Sequence, residues 1–154
     1  MITLNQAKGI KLSENFSLYE FLRSDTASRI NLHRYQEQIT EKDVLNLRRL
    51  CEGVLQPLRN RLREPIEISS GYRSPQLNRA IGGAKNSDHL YGRAADIKCS
   101  NLLQAFGWIK NNCDYKQLIL EKNGHATWIH VSFDAFDNRK ESLIYNDGTY
   151  NIAP

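Results

Sequence analysis

The sequence predicts a single α+β domain, with helices early in the chain and a mainly antiparallel sheet late. Three observations lead there. The chain has 154 residues, 40% of them apolar, which is one domain's worth of material and enough to bury a real core. Between Val44 and Leu62 the apolar residues recur at spacings of three and four, the stripe of a helix packed along one side. After Gln117 short apolar runs are broken by Asn123-Gly124 and Asn146-Asp147-Gly148, which read as hairpins. No repeat, low-complexity segment or linker divides residues 1–154.

Each element has its own signal. Phe16 to Leu22 predicts a short helix, with Ser17 as N-cap and Leu18, Phe21 and Leu22 on its apolar side. Ser24 to Gln38 is polar and predicts an irregular arm on the surface. Thr40 caps the longest helix, and Glu41 and Asp43 in its first turn complement the dipole. Its stripe is Val44, Leu47, Cys51, Val54, Leu58 and Leu62. Pro57 predicts a bend there, because its ring presses on the carbonyl of Gly53.

Glu64-Pro65 ends that helix, and Ile66 to Ser69 predicts a short strand. Ser74-Pro75 opens another helix, cap followed by proline, which closes at Gly82-Gly83. Ala94 to Cys99 predicts a strand, and Ser100 the cap of a helix carrying Leu102, Leu103, Phe106 and Ile109. Gln117 to Glu121 and Thr127 to Phe133 form the first predicted hairpin. Ser142 to Tyr145 and Thr149 to Ile152 form the second.

Composition narrows the function. The net charge of +4 is mild and the basic residues are scattered, so a solvated surface is the better reading and a polyanion partner the weaker one. The interleaved aromatics of an RNA-stacking module are missing, and no nucleic-acid partner is expected. No window holds 18 consecutive apolar residues, so no membrane span is expected. Met1 to Asn15 lacks the basic-then-apolar design of a secretory signal, and the expectation is synthesis in the cytoplasm with help needed to act outside. Cys51, Cys99 and Cys113 are odd in number and show no metal or disulfide spacing, which predicts buried free thiols.

The chemistry concentrates in Ser87-Asp88-His89-Leu90-Tyr91-Gly92-Arg93-Ala94-Ala95-Asp96-Ile97 and in Trp128-Ile129-His130-Val131-Ser132. Two histidines and one aspartate are what a catalytic zinc wants, three ligands with a fourth position open for water. His89 and Asp96 suit a loop residue followed by a strand residue, with Gly92, Ala94 and Ala95 letting the chain fold back closely between them. His130 lies in an alternating run and shares a strand face with Trp128 and Ser132. Arg73, at the end of a strand and after Gly71, offers a planar fork to a carboxylate or an oxyanion.

The string Ser69-Ser70-Gly71-Tyr72-Arg73-Ser74, then Asn78, Gly82-Gly83, Ser87-x-His89-x-x-Gly92-x-Ala94-x-Asp96 and Trp128-x-His130 resembles the zinc D-alanyl-D-alanine carboxypeptidase family of metallopeptidases. Its nearest likeness is to the branch of secreted zinc carboxypeptidases, and several phage endolysins look similar. The resemblance covers roughly Phe16 to Phe133, with an N-terminal arm and a C-terminal hairpin outside it. It implies a Hedgehog/DD-peptidase-like fold and one Zn2+ per chain held by His89, Asp96 and His130. Arg73 and Ser87 correspond to residues that contact and hold substrate, while Tyr72 and Asn78 are read as structural.

The implied substrate is a peptidoglycan peptide. The implied actor is a monomer made in a host bacterial cytoplasm and acting on the wall after release, as a phage endolysin does. A second reading, from another class, is a non-catalytic zinc-containing virion protein that docks on the wall. The general base is open. Relatives that place a carboxylate three residues before the last histidine have Thr127 in its place here, which cannot take a proton. The zinc carboxypeptidase branch uses a histidine five residues before it, and His125 stands there, with Glu121 as the second candidate.

Overall fold

Near the N-terminus the chain makes short pieces tied by local caps. The structure, a computed structural model, describes residues 1–154. Helix α1 (Leu4–Ala7) leads to a small ribbon of β1 (Lys11–Ser13) and β2 (Phe16–Ser17). Ser17 and Glu20 then form a capping box for α2 (Leu18–Leu22), so the helix expected from Phe16 starts two residues later.

The stretch expected to be irregular holds two more helices, α3 (Asp25–Arg29) and α4 (His33–Gln36). Neither has an apolar stripe that periodicity could reveal. Ser24 caps α3 by accepting from the Ala27 N–H at 3.0 Å. Gln36 secures α4: its amide donates to the carbonyls of Leu22 (3.0 Å) and Tyr72 (2.8 Å) and accepts from the Ser74 N–H at 2.7 Å. The arm is thereby fastened to the loop that carries Arg73.

Thr40 and Asp43 exchange capping bonds of 3.2 Å at the start of α5 (Glu41–Leu50). A π turn over Cys51–Leu55 then leads into α6 (Gln56–Leu62), with Pro57 in its first turn. The expected bend is expressed as this wider turn. Proline has no N–H to donate and its ring crowds the carbonyl four residues back, and a π turn relieves both.

The sheet runs β3 (Glu67–Ser70), β4 (Ala94–Lys98), β6 (Ala126–Ser132), β5 (Gln117–Asn123), β7 (Glu141–Asn146) and β8 (Thr149–Ile152), in that spatial order. Between β3 and β4 lies α7 (Pro75–Ala80), capped by Ser74, and between β4 and β5 lies α8 (Leu102–Asn112). The cap of α8 is Asn101, not the expected Ser100, whose hydroxyl bonds Glu64 instead. All pairings are antiparallel except β5 with β7.

Ala95, Ile97, Leu118, Ile129 and Val131 point to the helical side and join one core with Leu47, Leu50, Val54, Leu55 and Leu58. The alternate residues, Asp96, Ile119, Glu121, Trp128 and His130, belong to the other face. Cys51 and Cys113 are buried free thiols, as expected, whereas Cys99 is only half-buried because β4 ends one residue before it. Burial pushes the Cys113 thiol up to about 11 and Cys51 higher still, so both stay protonated and poorly nucleophilic. No helix is long and apolar enough to cross a membrane.

Candidate metal centre and active site

Three side chains converge on the open face of the sheet. Asp96 and His130 are register partners on β4 and β6, with the carboxylate Oδ1 3.0 Å from the histidine Nδ1. His89 arrives from a loop. Ser87 starts a 3-10 turn over Asp88–Tyr91 by accepting from the His89 N–H at 3.3 Å. Gly92 ends that turn at φ +67°, where an added Cβ would sit 2.3 Å from the Asp43 carbonyl oxygen, so only glycine lets the loop pass the start of α5.

The loop is also clamped ionically. Asp88 receives Arg93 Nε at 3.1 Å and Lys116 Nζ at 3.0 Å, and Arg93 reaches Asp134 at 3.3 Å. Nothing in the sequence signalled the Lys116 and Asp134 partners, because those pairs join positions 28 and 41 apart.

His89 is 2% exposed and its Nδ1 lies 2.7 Å from the Gly71 carbonyl oxygen. A carbonyl can only accept, so that nitrogen carries the proton and Nε2 presents a lone pair toward Asp96, 3.4 Å away. The ligating atoms of His89, Asp96 and His130 lie within 4.8 Å of one another. Burial pushes the His89 pKa down despite Asp96, which favours the neutral imidazole a metal needs. Burial alone would raise the Asp96 pKa, but the two imidazoles beside it, with the His130 hydrogen bond, outweigh it and hold the carboxyl well below its usual range. Two imidazoles, one of them oriented by a backbone carbonyl, and one ionised carboxylate fit a three-ligand zinc site.

Arg73 follows β3, and its N–H donates to the His89 carbonyl at 3.0 Å. Its guanidinium is held at three points: Ser70 Oγ (3.3 Å), Asn78 Oδ1 (3.4 Å) and Asp96 Oδ2 (3.6 Å). Asn78 is in turn fixed through its amide, which donates to the Ala84 carbonyl at 2.9 Å. The plane of the fork is therefore set before any ligand arrives. Tyr72 packs in the core.

A cavity of about 650 Å³ opens over this group, and Arg73, Ser87, His89, Asp96, Glu121 and His130 line it. Glu121 lies one strand over from His130 and two residues along, with Trp128 as its register partner. Burial raises its pKa first and Asp96 raises it further, while His130 and Arg73 pull it back. His125 is exposed at the turn of the β5–β6 hairpin and is not part of the cavity wall. Tyr145 and Tyr150 are among the wall residues that sequence reasoning missed. Their strands were legible, but the parallel docking of β7 on β5 was not.

The family model for peptidase M15 matches residues 14–132. Over 44 residues the chain is 46% identical to the zinc D-Ala-D-Ala carboxypeptidase of Streptomyces albus G. That match covers 28% of this chain and 17% of the length of that relative.

Proposed function

The chain belongs to the peptidase M15 family, and from that premise we propose that it is a zinc-dependent peptidase that hydrolyses peptide bonds of bacterial peptidoglycan. The observation that carries this reading is the convergence of His89, Asp96 and His130 beside two further groups, Arg73 and Glu121, in one cavity. The 46% identical relative is a zinc D-Ala-D-Ala carboxypeptidase, which points to the substrate class.

His89, Asp96 and His130 would hold the ion. Zinc, when bound, supplies Lewis acidity that acidifies water and polarises a carbonyl. Glu121 is the proton acceptor in this proposal, because it lines the cavity beside His130, whereas His125 faces solvent at the turn. Its carboxylate takes a proton from the attacking water and returns it to the departing amine. Arg73 binds a substrate carboxylate or the developing oxyanion with its pre-set fork, and Ser87 lines the cavity near it.

A fixed arginine and a cavity-facing carboxylate favour an enzyme over a wall-docking virion component. Action as a phage endolysin, after release from a host cell, rests on the sequence resemblance alone. Purified sacculi incubated with the protein, with and without a chelator, test the reading by mass spectrometry of released muropeptides. Chelator-sensitive cleavage at a peptide bond is the expected result, and no cleavage under zinc-replete conditions overturns it.

A further inference from the structure

The open face of the sheet continues past the metal-ligand cluster in a row of register partners. Trp128 on β6 faces Glu121 on β5, Glu121 faces Tyr145 on β7, and Tyr145 faces Tyr150 on β8. All four line the same cavity, together with Asn123 one step further along β5. The two tyrosine rings are 4.7 Å apart and tilted by 54°, and Tyr150 is 58% exposed. Residues 141–152, which carry both tyrosines, lie outside the stretch matched by the family model.

The chemistry of this row is narrow. It carries the carboxylate of Glu121 and no cation, so an anion is not its natural ligand. Aromatic faces with hydroxyl tips and one primary amide suit a ligand with an apolar C–H face and a rim of hydroxyl and amide groups. An N-acetylated hexosamine has that surface.

We propose that Tyr145, Tyr150 and Asn123 form a sugar subsite that holds the N-acetylhexosamine bearing the stem peptide. This rests on the peptidoglycan reading above and deepens it. It assigns the C-terminal hairpin to glycan recognition.

The test uses two substrates on the zinc-loaded full chain: a free stem pentapeptide, and the same peptide carried on its disaccharide. Wild type should favour the disaccharide-linked form by about tenfold in kcat/KM, the scale of one good stacking contact. Tyr150→Ala and Tyr145→Ala should bring that ratio close to one, and Tyr150→Phe, which keeps the ring, should preserve most of it. A wild-type ratio near one, or equal losses on both substrates in the alanine variants, overturns the subsite. Calorimetric titration with a tetramer of N-acetylglucosamine separates the two readings. Sugar binding that Tyr150→Ala abolishes, without cleavage of either substrate, retires the peptidase reading and keeps the subsite. Cleavage with neither preference nor sugar binding retires the subsite alone.

Discussion

His89 Nδ1 donates to the carbonyl oxygen of Gly71 at 2.7 Å, and this bond ties the loop ligand to the segment that carries Arg73. The same two segments meet again where the Arg73 N–H donates to the His89 carbonyl at 3.0 Å. Two hydrogen bonds therefore fasten a cavity-lining arginine to the loop histidine of the candidate metal group.

The first prediction follows from that coupling. His89→Ala should abolish stoichiometric zinc, read by elemental analysis of protein purified without added metal. Gly71→Ala should act indirectly, because its Cβ would lie 2.6 Å from the Phe21 Cα. A loss of stability on the order of 3 kcal/mol, with weakened zinc binding, is expected from such a backbone collision. Thermal melts and a competitive zinc titration check both effects.

Arg73→Lys keeps the charge and loses the fork. Of the three side-chain anchors at Ser70, Asn78 and Asp96, one ammonium cannot keep the planar set. Turnover should fall by roughly a hundredfold, the scale of losing one oriented donor. Zinc content and melting temperature should stay close to wild type, and a variant that unfolds instead contradicts the assignment.

Glu121→Gln against His125→Ala decides the base. The glutamine variant should lose at least about a hundredfold in turnover with zinc still bound, and the histidine variant should stay near wild type. Because burial, and then Asp96, raise the Glu121 pKa, its proton is lost above the ordinary glutamate range. The rising acid limb of the pH–rate profile should vanish in Glu121→Gln. The stability sign is the reverse of an ordinary salt bridge. The unfolded chain releases this proton first as pH rises, so the contribution present below the unfolded pKa is lost as pH climbs through the folded one. Metal-free Glu121→Gln should accordingly melt slightly higher than wild type at neutral pH.

Gln36→Leu tests the arm. The variant leaves two carbonyls and one N–H without their partner, and a cost of about 3 kcal/mol is expected for that many buried orphans. Denaturant unfolding reads the loss. Turnover measured below the unfolding transition should fall as well, because the Ser74 contact holds the loop that carries Arg73.

Periodicity and turn residues were enough for the fold class and the long elements: the stripe from Val44 to Leu62 and the two hairpins follow directly from local chemistry. Short elements escaped where tertiary bonds replaced periodicity, as at α3 and α4, which Ser24 and Gln36 hold in place. The residue types and order of His89, Asp96 and His130 suggested a cluster, and the structure brings them together. Placing His125 and Glu121 relative to the cavity needed strand parity and the exact turn residues of the β5–β6 hairpin. That hairpin turns at Gly124-His125, which sends His125 to solvent and leaves Glu121 on the cavity face. Tyr145 and Tyr150 needed a parallel pairing that no local signal encodes.

The pairing of Asp96 with His130 has a consequence for how the sheet acquires its register. The two residues are 34 positions apart, so β4 must find β6 without help from a short turn. A slip of one residue would swing His130 to the helical side and bring Ile129 or Val131 opposite the carboxylate. Misaligned chains would offer at most two of the three side chains, and an ion held by all three would stabilise the correctly aligned sheet most. The cluster is in this sense a proof-reader of long-range strand pairing, and chains that mature without zinc should include off-register species that zinc-replete chains discard.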